Sequence, residues 1–418
     1  MKIIQITLTV LLLSAVLIQA AGDGRFQLGK ANGRDCLIAP DGKPFLTLGV
    51  NHIQNVFQGE GAVVGDRQQA CEEILEQLTS WGYNTGGYGT PEPLCRMLPS
   101  FAPMYLTQNA NYMSDAQFEY CDVFDPIVQQ KMREVIQYEI GRQADNPNLI
   151  GYYWTDTPQW DLQRARKKRG TDWVSMIREL PAGAPGKQRY EQFLADGGQS
   201  DEAFLRLIAR ELYKVIGEET RRLAPDALIF GERYLAHDHP DAVIEEALPY
   251  IDVLSIQPGG VRFDADYFDS MYERFNKPIL ICDHQNSFPT PQYPRTMWQQ
   301  LESEEAVGLA YDQYLKDAFE KPYILGYQRC QYIDRYAKGA GMLKQGVVRE
   351  DGTAYKILTQ AVRQANLEAL ERFRQHRSAP VSGSSGTIWS TRSNRRPTPL
   401  LKSGSKPLTL CARQNSTG

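Results

Sequence analysis

The sequence predicts an α/β protein with a (β/α)8 TIM-barrel fold, because short apolar strands alternate with amphipathic helices through most of the chain. The chain has 418 residues, of which 42% are hydrophobic and 23% charged, so it is long enough to bury a large core. Eight strand and helix units in this length suit a closed barrel. A doubly wound open sheet is the alternative, and it is disfavoured because no glycine-rich phosphate turn follows the first strand.

The predicted elements follow one another in a regular order. A hairpin centred on Pro40, Asp41 and Gly42 leads into a first strand that ends at Asn51 and His52. The other seven strands are predicted over residues 84–89, 103–107, 149–154, 227–234, 251–257, 278–284 and 323–332. Apolar positions at helical spacing predict helices over residues 67–81, 126–143, 201–223, 242–247, 267–275, 304–319 and 355–373.

Both ends of the chain differ in composition from the barrel. Residues 1–21 combine Lys2, an apolar run and small residues at Ala20 and Ala21, which predicts a secretory signal peptide; an uncleaved anchor is the alternative. Residues 377–418 are rich in Ser, Gly, Pro, Thr and Arg, which predicts a disordered tail. We therefore expect a barrel over residues 22–376, secreted or periplasmic, with no membrane contact after signal cleavage.

Charge and cysteine usage exclude some partners. The net charge of −4 favours no nucleic acid as partner. The seven cysteines are scattered without CxxC pairs or the spacing of metal ligands, so we expect no metal site and several buried free thiols, including Cys282 and Cys330. No cofactor is implied.

The residues that end the strands of a barrel meet at one mouth, so they form the candidate site. Two of them are carboxylates that stand where an apolar strand gives way to polar residues: Asp156 and Asp283. Amides and carboxylates bind sugar hydroxyls, and aromatic faces cover sugar rings. The other candidates are Asn51, His52, Tyr88, Trp154, Glu232, Arg233, Gln257, His284, Gln328, Tyr332 and Asp334.

Eight segments, in order, resemble the agarase-like glycoside hydrolases of the retaining (β/α)8 clan A. They are CLIAPDGKPFLTLGVNHI, TSWGYNTGGYG, DVFDP, GYYWTDTPQW, FGERY, IDVLSIQP, KPILICDHQNSF and YILGYQRCQYIDR. The resemblance covers residues 36–373. It implies a barrel enzyme that cleaves glycosidic bonds with two carboxyl groups, one at the end of strand four and one at the end of strand seven.

The chain departs from the family at both catalytic positions. Asp283 stands where the family has a Glu nucleophile, and Pro158 stands where the family has its acid, in a sequence that is often Asp-Asn-Glu. Asp156, two residues earlier, lies on the same side of the strand and is our candidate acid/base. Glu232 is the reserve candidate for the acid, with binding a sugar hydroxyl or orienting Arg233 as its other role. His284 faces either the substrate or the barrel wall. Only one of Asn51 and His52 is expected to face the mouth, and the family's pattern favours Asn51.

The sequence therefore predicts a secreted glycoside hydrolase acting on a poly- or oligosaccharide, galactose-rich and of algal type by its resemblance. Its mechanism would use two carboxylates, with retention implied by the family. A carbohydrate-binding barrel without catalysis is the first alternative, and a barrel enzyme with a non-sugar substrate is the second.

Overall fold

The computed structural model describes residues 24–58, 65–106, 120–337 and 341–375. The predicted signal peptide (residues 1–21) and the predicted tail (residues 377–418) lie outside them. Among the described helices, none combines the length and the apolar composition that crossing a membrane requires.

Eight parallel strands close into a barrel, in which each strand pairs with the next one along the chain and the last pairs with the first. This confirms the predicted (β/α)8 fold. The barrel strands are β4 (Thr47–Val50), β5 (Thr85–Gly86), β6 (Ser100–Pro103), β7 (Leu149–Asp156), β8 (Leu228–Leu235), β9 (Leu254–Gln257), β10 (Ile279–His284) and β13 (Ile324–Arg329).

The third barrel strand lies earlier in the chain than the sequence predicted. The prediction was residues 103–107, whereas β6 spans Ser100–Pro103 and pairs with the first half of β7. Tyr105 has a φ of 54°, a left-handed conformation that ends the extended backbone. The apolar run after Pro103 therefore turns across the mouth instead of continuing the strand.

Helices surround the barrel, and most lie within two residues of their predicted bounds. Three short helices between β7 and the longest helix were not predicted, because each is too brief for a clear periodic pattern. Side chains of Asp161 and Asp172 cap the first two of them. The helices are α1 (Arg67–Ser80), α2 (Glu92–Cys95), α3 (Pro126–Gln143), α4 (Leu162–Arg169), α5 (Trp173–Glu179), α6 (Pro185–Ala195), α7 (Asp201–Leu223), α8 (Asp241–Ala247), α9 (Ala265–Phe275), α10 (Glu304–Glu320) and α11 (Lys356–Gln375). A 3-10 turn, Ile53–Phe57, follows β4.

A small antiparallel sheet covers the end of the barrel opposite the mouth. It consists of β1 (Gln27–Ala31), β2 (Arg34–Ile38) and β3 (Pro44–Phe45), so the predicted hairpin is confirmed and β1 is an addition to it. Phe26 and Leu37 pack into the same apolar cluster as the side chains that fill the barrel interior. The interior is thereby closed at this end, which leaves the carboxyl ends of the strands as the accessible face.

Four very short segments complete the strands, all near the mouth. They are β11 (Asn286–Ser287), β12 (Gln299–Gln300), β14 (Arg335–Ala337) and β15 (Met342–Lys344). The six cysteines in the described part of the chain are buried free thiols, as expected for Cys282 and Cys330 in particular.

We expect the Gly326→Ala variant to lose roughly 1–3 kcal/mol of unfolding free energy, because its new methyl group would overlap the Thr47 backbone of the neighbouring strand. Gly141→Ala is the matched control: nothing surrounds its Cβ position in α3, and the change should stabilise by about 0.5–1 kcal/mol. Urea unfolding of both variants measures the difference. Equal stability of the two variants would contradict the close contact between β13 and β4.

Candidate active site

A single buried guanidinium joins the two predicted carboxylates. Arg233, near the end of β8, has 0% exposure. Its Nη1 lies 2.6 Å from Oδ1 of Asp156, and its Nη2 lies 2.8 Å from Oδ2 of Asp283. The carboxyl groups at the ends of strands four and seven therefore face one point of the barrel mouth.

Aromatic rings enclose this guanidinium. Its central carbon lies 4.1 Å from the ring centre of Tyr88 and 5.6 Å from that of Tyr153. Such faces attract a cation through their negative quadrupole, and the attraction is larger when the cation is shielded from water. The rings and the two carboxylates together compensate a charge that has been removed from solvent.

Backbone and amide contacts fix the same group from the sides. Nη2 of Arg233 also donates to the carbonyl oxygen of Cys282 at 2.9 Å. The side-chain amide of Gln257 donates to Oδ1 of Asp156 at 3.0 Å and to the carbonyl oxygen of Arg233 at 2.7 Å. The site is a hydrogen-bond network that connects four of the eight barrel strands.

Asp283 is held as a carboxylate by its neighbours. Burial by itself would raise its pKa, but the imidazole of His52, 3.8 Å away, and the positive charge of Arg233 outweigh burial and bring the pKa below its usual range. The thiol of Cys330 also lies against this carboxylate, and burial raises the pKa of that thiol well above its usual value. Asp283 is therefore ionised at neutral pH.

His52, and not Asn51 as the family's pattern favoured, faces the mouth. Asn51 lies within the barrel wall. His52 has a φ of 56°, a left-handed conformation that turns its ring toward Asp283. Asn51 is fully buried: its amide donates to the Cys282 carbonyl at 2.9 Å and its oxygen accepts from the Tyr88 N–H at 2.8 Å. Asn51 thus supports the mouth without facing it.

Four predicted site residues face the helices and not the mouth. Glu232 accepts from Trp160 Nε1 at 2.7 Å and from the Tyr213 hydroxyl at 2.6 Å, and it is fully buried. Trp154 donates to Thr220 in α7. His284 contacts Tyr327 and the Gly260 carbonyl and stacks on Tyr314, and Tyr332 donates to Gln77 in α1. Each lies on the outer face of its strand or in the loop after it.

The last two predicted residues, Gln328 and Asp334, lie close to the mouth but bind protein groups. The amide of Gln328 donates to Thr47 at 3.0 Å inside the barrel. Asp334 accepts from the Gly346 N–H at 2.6 Å and the Tyr355 hydroxyl at 2.7 Å, and burial raises its pKa to about 7. These two residues shape the wall and the loop beyond it.

Three neighbours of the site were not predicted from the sequence. Tyr105 packs edge-on against Tyr88 at 5.3 Å between ring centres, and Lys344 and Cys330 lie near Asp283. Cys330 is the one with a usable signal, because it comes directly after β13 and so stands at the mouth end of a strand. Tyr105 lies in a loop and Lys344 ends the three-residue strand β15, and both segments are too short to carry a periodic signal.

The side chains of His52, Asp283 and Cys330 bring three possible metal ligands within 4.8 Å of one another. This set was not foreseen from the spacing of these residues in the sequence. The guanidinium of Arg233 lies 2.8 Å from the same oxygen of Asp283, and its positive charge opposes a cation at that point.

Solved structures of agarases share this architecture. The agarase AgWH50C matches with a TM-score of 0.70 and 14% identity over 84% of this chain and 66% of that one. This chain has the barrel fold of the agarases. An exo-beta-agarase matches with a TM-score of 0.69 and 15% identity over 86% of this chain and 66% of that one. This chain thus spans slightly less than two thirds of the length of both agarases.

A more distant similarity extends to another group of glycosidases. A GH2 beta-galacturonidase from Eisenbergiella tayi matches with a TM-score of 0.52 and 14% identity over 82% of this chain and 54% of that one. No protein-family model matches the chain, and no curated protein sequence does. At these identities, the similarity to agarases and to the galacturonidase supports the fold that the sequence resemblance implied.

We expect the Arg233→Met variant to lose about 3–5 kcal/mol of unfolding free energy at pH 7, since it leaves two buried carboxylates without their cation. Without the guanidinium, the two carboxyl groups would take up protons more readily in the folded than in the unfolded state. Part of the loss should therefore be recovered as the pH falls from 7 toward 5.

Arg274→Met serves as the control, because Arg274 pairs with Asp241 at the surface, where the two side chains are 42% and 44% exposed. We expect it to cost about 0–1 kcal/mol at either pH. Urea unfolding at both pH values gives the comparison. A pH-independent loss in the Arg233 variant would contradict the electrostatic role of the guanidinium.

Proposed function

We propose that this protein is a glycoside hydrolase that cleaves O-glycosidic bonds of a poly- or oligosaccharide with Asp156 and Asp283. The observation that carries the proposal is the convergence of these two carboxylates, from strands four and seven, on Arg233 at the barrel mouth. Two carboxyl groups flanking one bond are the minimal machinery of most glycosidases. The agarase fold supports the same conclusion.

In this proposal Asp283 is the ionised partner. Its pKa lies below the usual range despite burial, so at neutral pH it carries the negative charge that a nucleophile needs. It attacks the anomeric carbon, or it stabilises positive charge that develops there in the transition state. His52, beside it, is turned toward the place where the sugar ring would lie.

Asp156 is the proposed acid/base. Its side chain is 20% exposed, against 9% for that of Asp283, so it is the more accessible of the two to a leaving group. Oδ1 of Asp156 accepts from Arg233 and Gln257, whereas Oδ2 has no hydrogen bond among the described residues. Oδ2 is thus the oxygen available to carry a proton to the glycosidic oxygen.

Glu232 is not part of the proposed machinery. Its carboxyl group faces Trp160 and Tyr213 in the helix layer, and reaching the mouth would require the strand to turn over. This removes the reserve candidate for the acid and leaves Asp156 as the partner of Asp283.

A carbohydrate-binding barrel without turnover is the second candidate. The same bridge favours it, because Arg233 and Gln257 both donate to Oδ1 of Asp156, so that one oxygen of the proposed acid/base is already engaged by the protein. The buried Pro158 at the family's acid position points in the same direction. The two candidates share the sugar site and differ only in whether substrate binding loosens Asp156 from Arg233.

Substrate and destination follow from the same proposal. Agar-type galactans come first among substrates, because the solved structures that share this fold include two agarases. We infer retention of anomeric configuration, as in the family that the sequence resembles, and proton NMR of the first product decides between retention and inversion. Export by a signal peptide over residues 1–21 completes the proposal.

Release of reducing sugar from agar and other algal and plant polysaccharides tests the hydrolase proposal. We expect the purified protein to release sugar, and we expect Asp156→Asn and Asp283→Asn to reduce the rate roughly 10²–10⁴-fold, because each removes one of the two reacting carboxyl groups. Asp145→Asn is the matched control, since Asp145 is 83% exposed and pairs only with Arg96 at the surface.

Two results would contradict this proposal. Full activity in the Asp283→Asn variant would exclude the assigned nucleophile. Binding of a glycan without any release of sugar would replace hydrolysis with the carbohydrate-binding barrel.

A further inference from the structure

An exposed aromatic and basic surface borders the mouth on the side of β10 and β13. We call it the rim shelf, and it consists of Tyr293, Trp298, Tyr336 and Lys344. Trp298 is 38% exposed and Tyr336 is 44% exposed, which is unusual for side chains of this size. The rings of Tyr293 and Tyr336 lie 4.9 Å apart, and Nζ of Lys344 lies 5.7 Å from the ring centre of Trp298.

Backbone hydrogen bonds hold the rim shelf in place. The segment after β10 joins the hairpin of β14 and β15 through Met297 N–H to the Leu343 carbonyl at 2.9 Å and Leu343 N–H to the Arg295 carbonyl at 3.1 Å. The side-chain amide of Gln331, next to Cys330, donates to the Lys344 carbonyl at 3.0 Å. The shelf is therefore attached to the strand end that borders Asp283.

Lys344 connects the rim shelf with the candidate active site. Gln331, which follows Cys330, holds the backbone of Lys344, and the Cys330 thiol lies against Asp283. The charge of Lys344 also contributes to the lowered pKa of Asp283 and of His52. Among the described residues, no carboxylate forms a salt bridge with Lys344. Its ammonium group lies next to the exposed indole of Trp298.

Acidic and basic groups both lie near the rim shelf. The Glu350 carboxylate accepts a hydrogen bond from the Tyr293 hydroxyl at 2.9 Å and keeps its negative charge there, whereas Asp334 is buried with its pKa raised to about 7. Exposed Arg335 adds a second cation on the same hairpin as Lys344 and donates to the Asn55 side chain. The hairpin of β14 and β15 thus contributes two cations to the shelf.

We propose that the rim shelf binds a sugar residue that carries an anionic substituent, either a carboxylate or a sulfate ester, next to the glycosidic bond at the mouth. The indole of Trp298 stacks on the apolar face of the ring, and the ammonium group of Lys344 pairs with the substituent. A neutral chain would leave the lysine charge without a partner. This inference rests on the proposed function, because it names the substrate class of the same site.

Binding measurements without turnover test it. Isothermal titration calorimetry would compare three probes: glucuronate-containing oligosaccharides, sulfated galactan oligosaccharides and neutral galactan oligosaccharides of equal length. We expect one or both anionic probes to bind more tightly than the neutral probe, and we expect added salt to weaken that preference. Tighter binding of the glucuronate probe identifies a carboxylate as the ligand, and tighter binding of the sulfated probe identifies a sulfate.

Variants of the rim shelf separate charge from stacking. Lys344→Gln should weaken binding of the preferred anionic probe about tenfold and leave the neutral probe unchanged, since it removes one charge-assisted contact. Trp298→Ala should weaken all three probes. The matched controls are Lys214→Gln, on the outer surface of α7, and Tyr138→Ala, where an exposed ring lies beside Arg142; neither should change binding.

Each outcome has a definite meaning. Equal affinity for neutral and anionic probes, or an anionic preference that survives in Lys344→Gln, would overturn the inference. If neutral galactan is hydrolysed without any anionic preference, the hydrolase proposal stands and the rim-shelf inference falls. If the anionic preference depends on Lys344 but no sugar is released, the rim shelf stands as a binding site and hydrolysis falls.

Discussion

The mouth of this barrel depends on one buried cation. A guanidinium with 0% exposure is tolerated only where its charge is compensated, and two carboxylates, a carbonyl and two aromatic faces compensate that of Arg233. Among the described residues, its Nε has no hydrogen-bond partner. Conversely, two carboxylates this close would repel one another without it. The charge of the site and the mutual position of β7, β8 and β10 therefore both depend on Arg233. Any reaction at Asp156 or at Asp283 involves a carboxylate that is bound to this guanidinium.

Most of the fold was predictable because its signals are long and periodic. The helix Asp201–Leu223 and the strand β8 that follows it carry strong apolar patterns, and both were placed within one residue. The errors fall where the pattern is short. The four residues of β6 follow one proline and end in another, and α4, α5 and α6 are brief, so that capping by Asp161 and Asp172 defines two of them better than periodicity does.

The site was predictable in part. The alternation of side chains along each strand explains which residues were placed correctly and which were not. Asp156, Arg233, Gln257, Asp283, His52 and Tyr88 are brought together, whereas Trp154, Glu232 and His284 stand on the opposite face of strands whose other residues reach the mouth. To decide which of two neighbouring residues faces the mouth, one must know which side chains of the strand point into the barrel. Bulges near the ends of β7 and β10 change this locally. Lys344 had no sequence signal, since β15 has only three residues and its position depends on how the hairpin of β14 and β15 packs.

The buried cysteines have a practical meaning for anyone who handles this protein. The thiols of Cys71, Cys282 and Cys330 have 0% exposure, and those of Cys36, Cys95 and Cys121 at most 7%. A thiol reagent reacts with such groups only after the surrounding structure opens. Alkylation followed by mass spectrometry would therefore map local opening region by region, from the sheet beneath the barrel to the wall beside Asp283, without the introduction of any foreign probe.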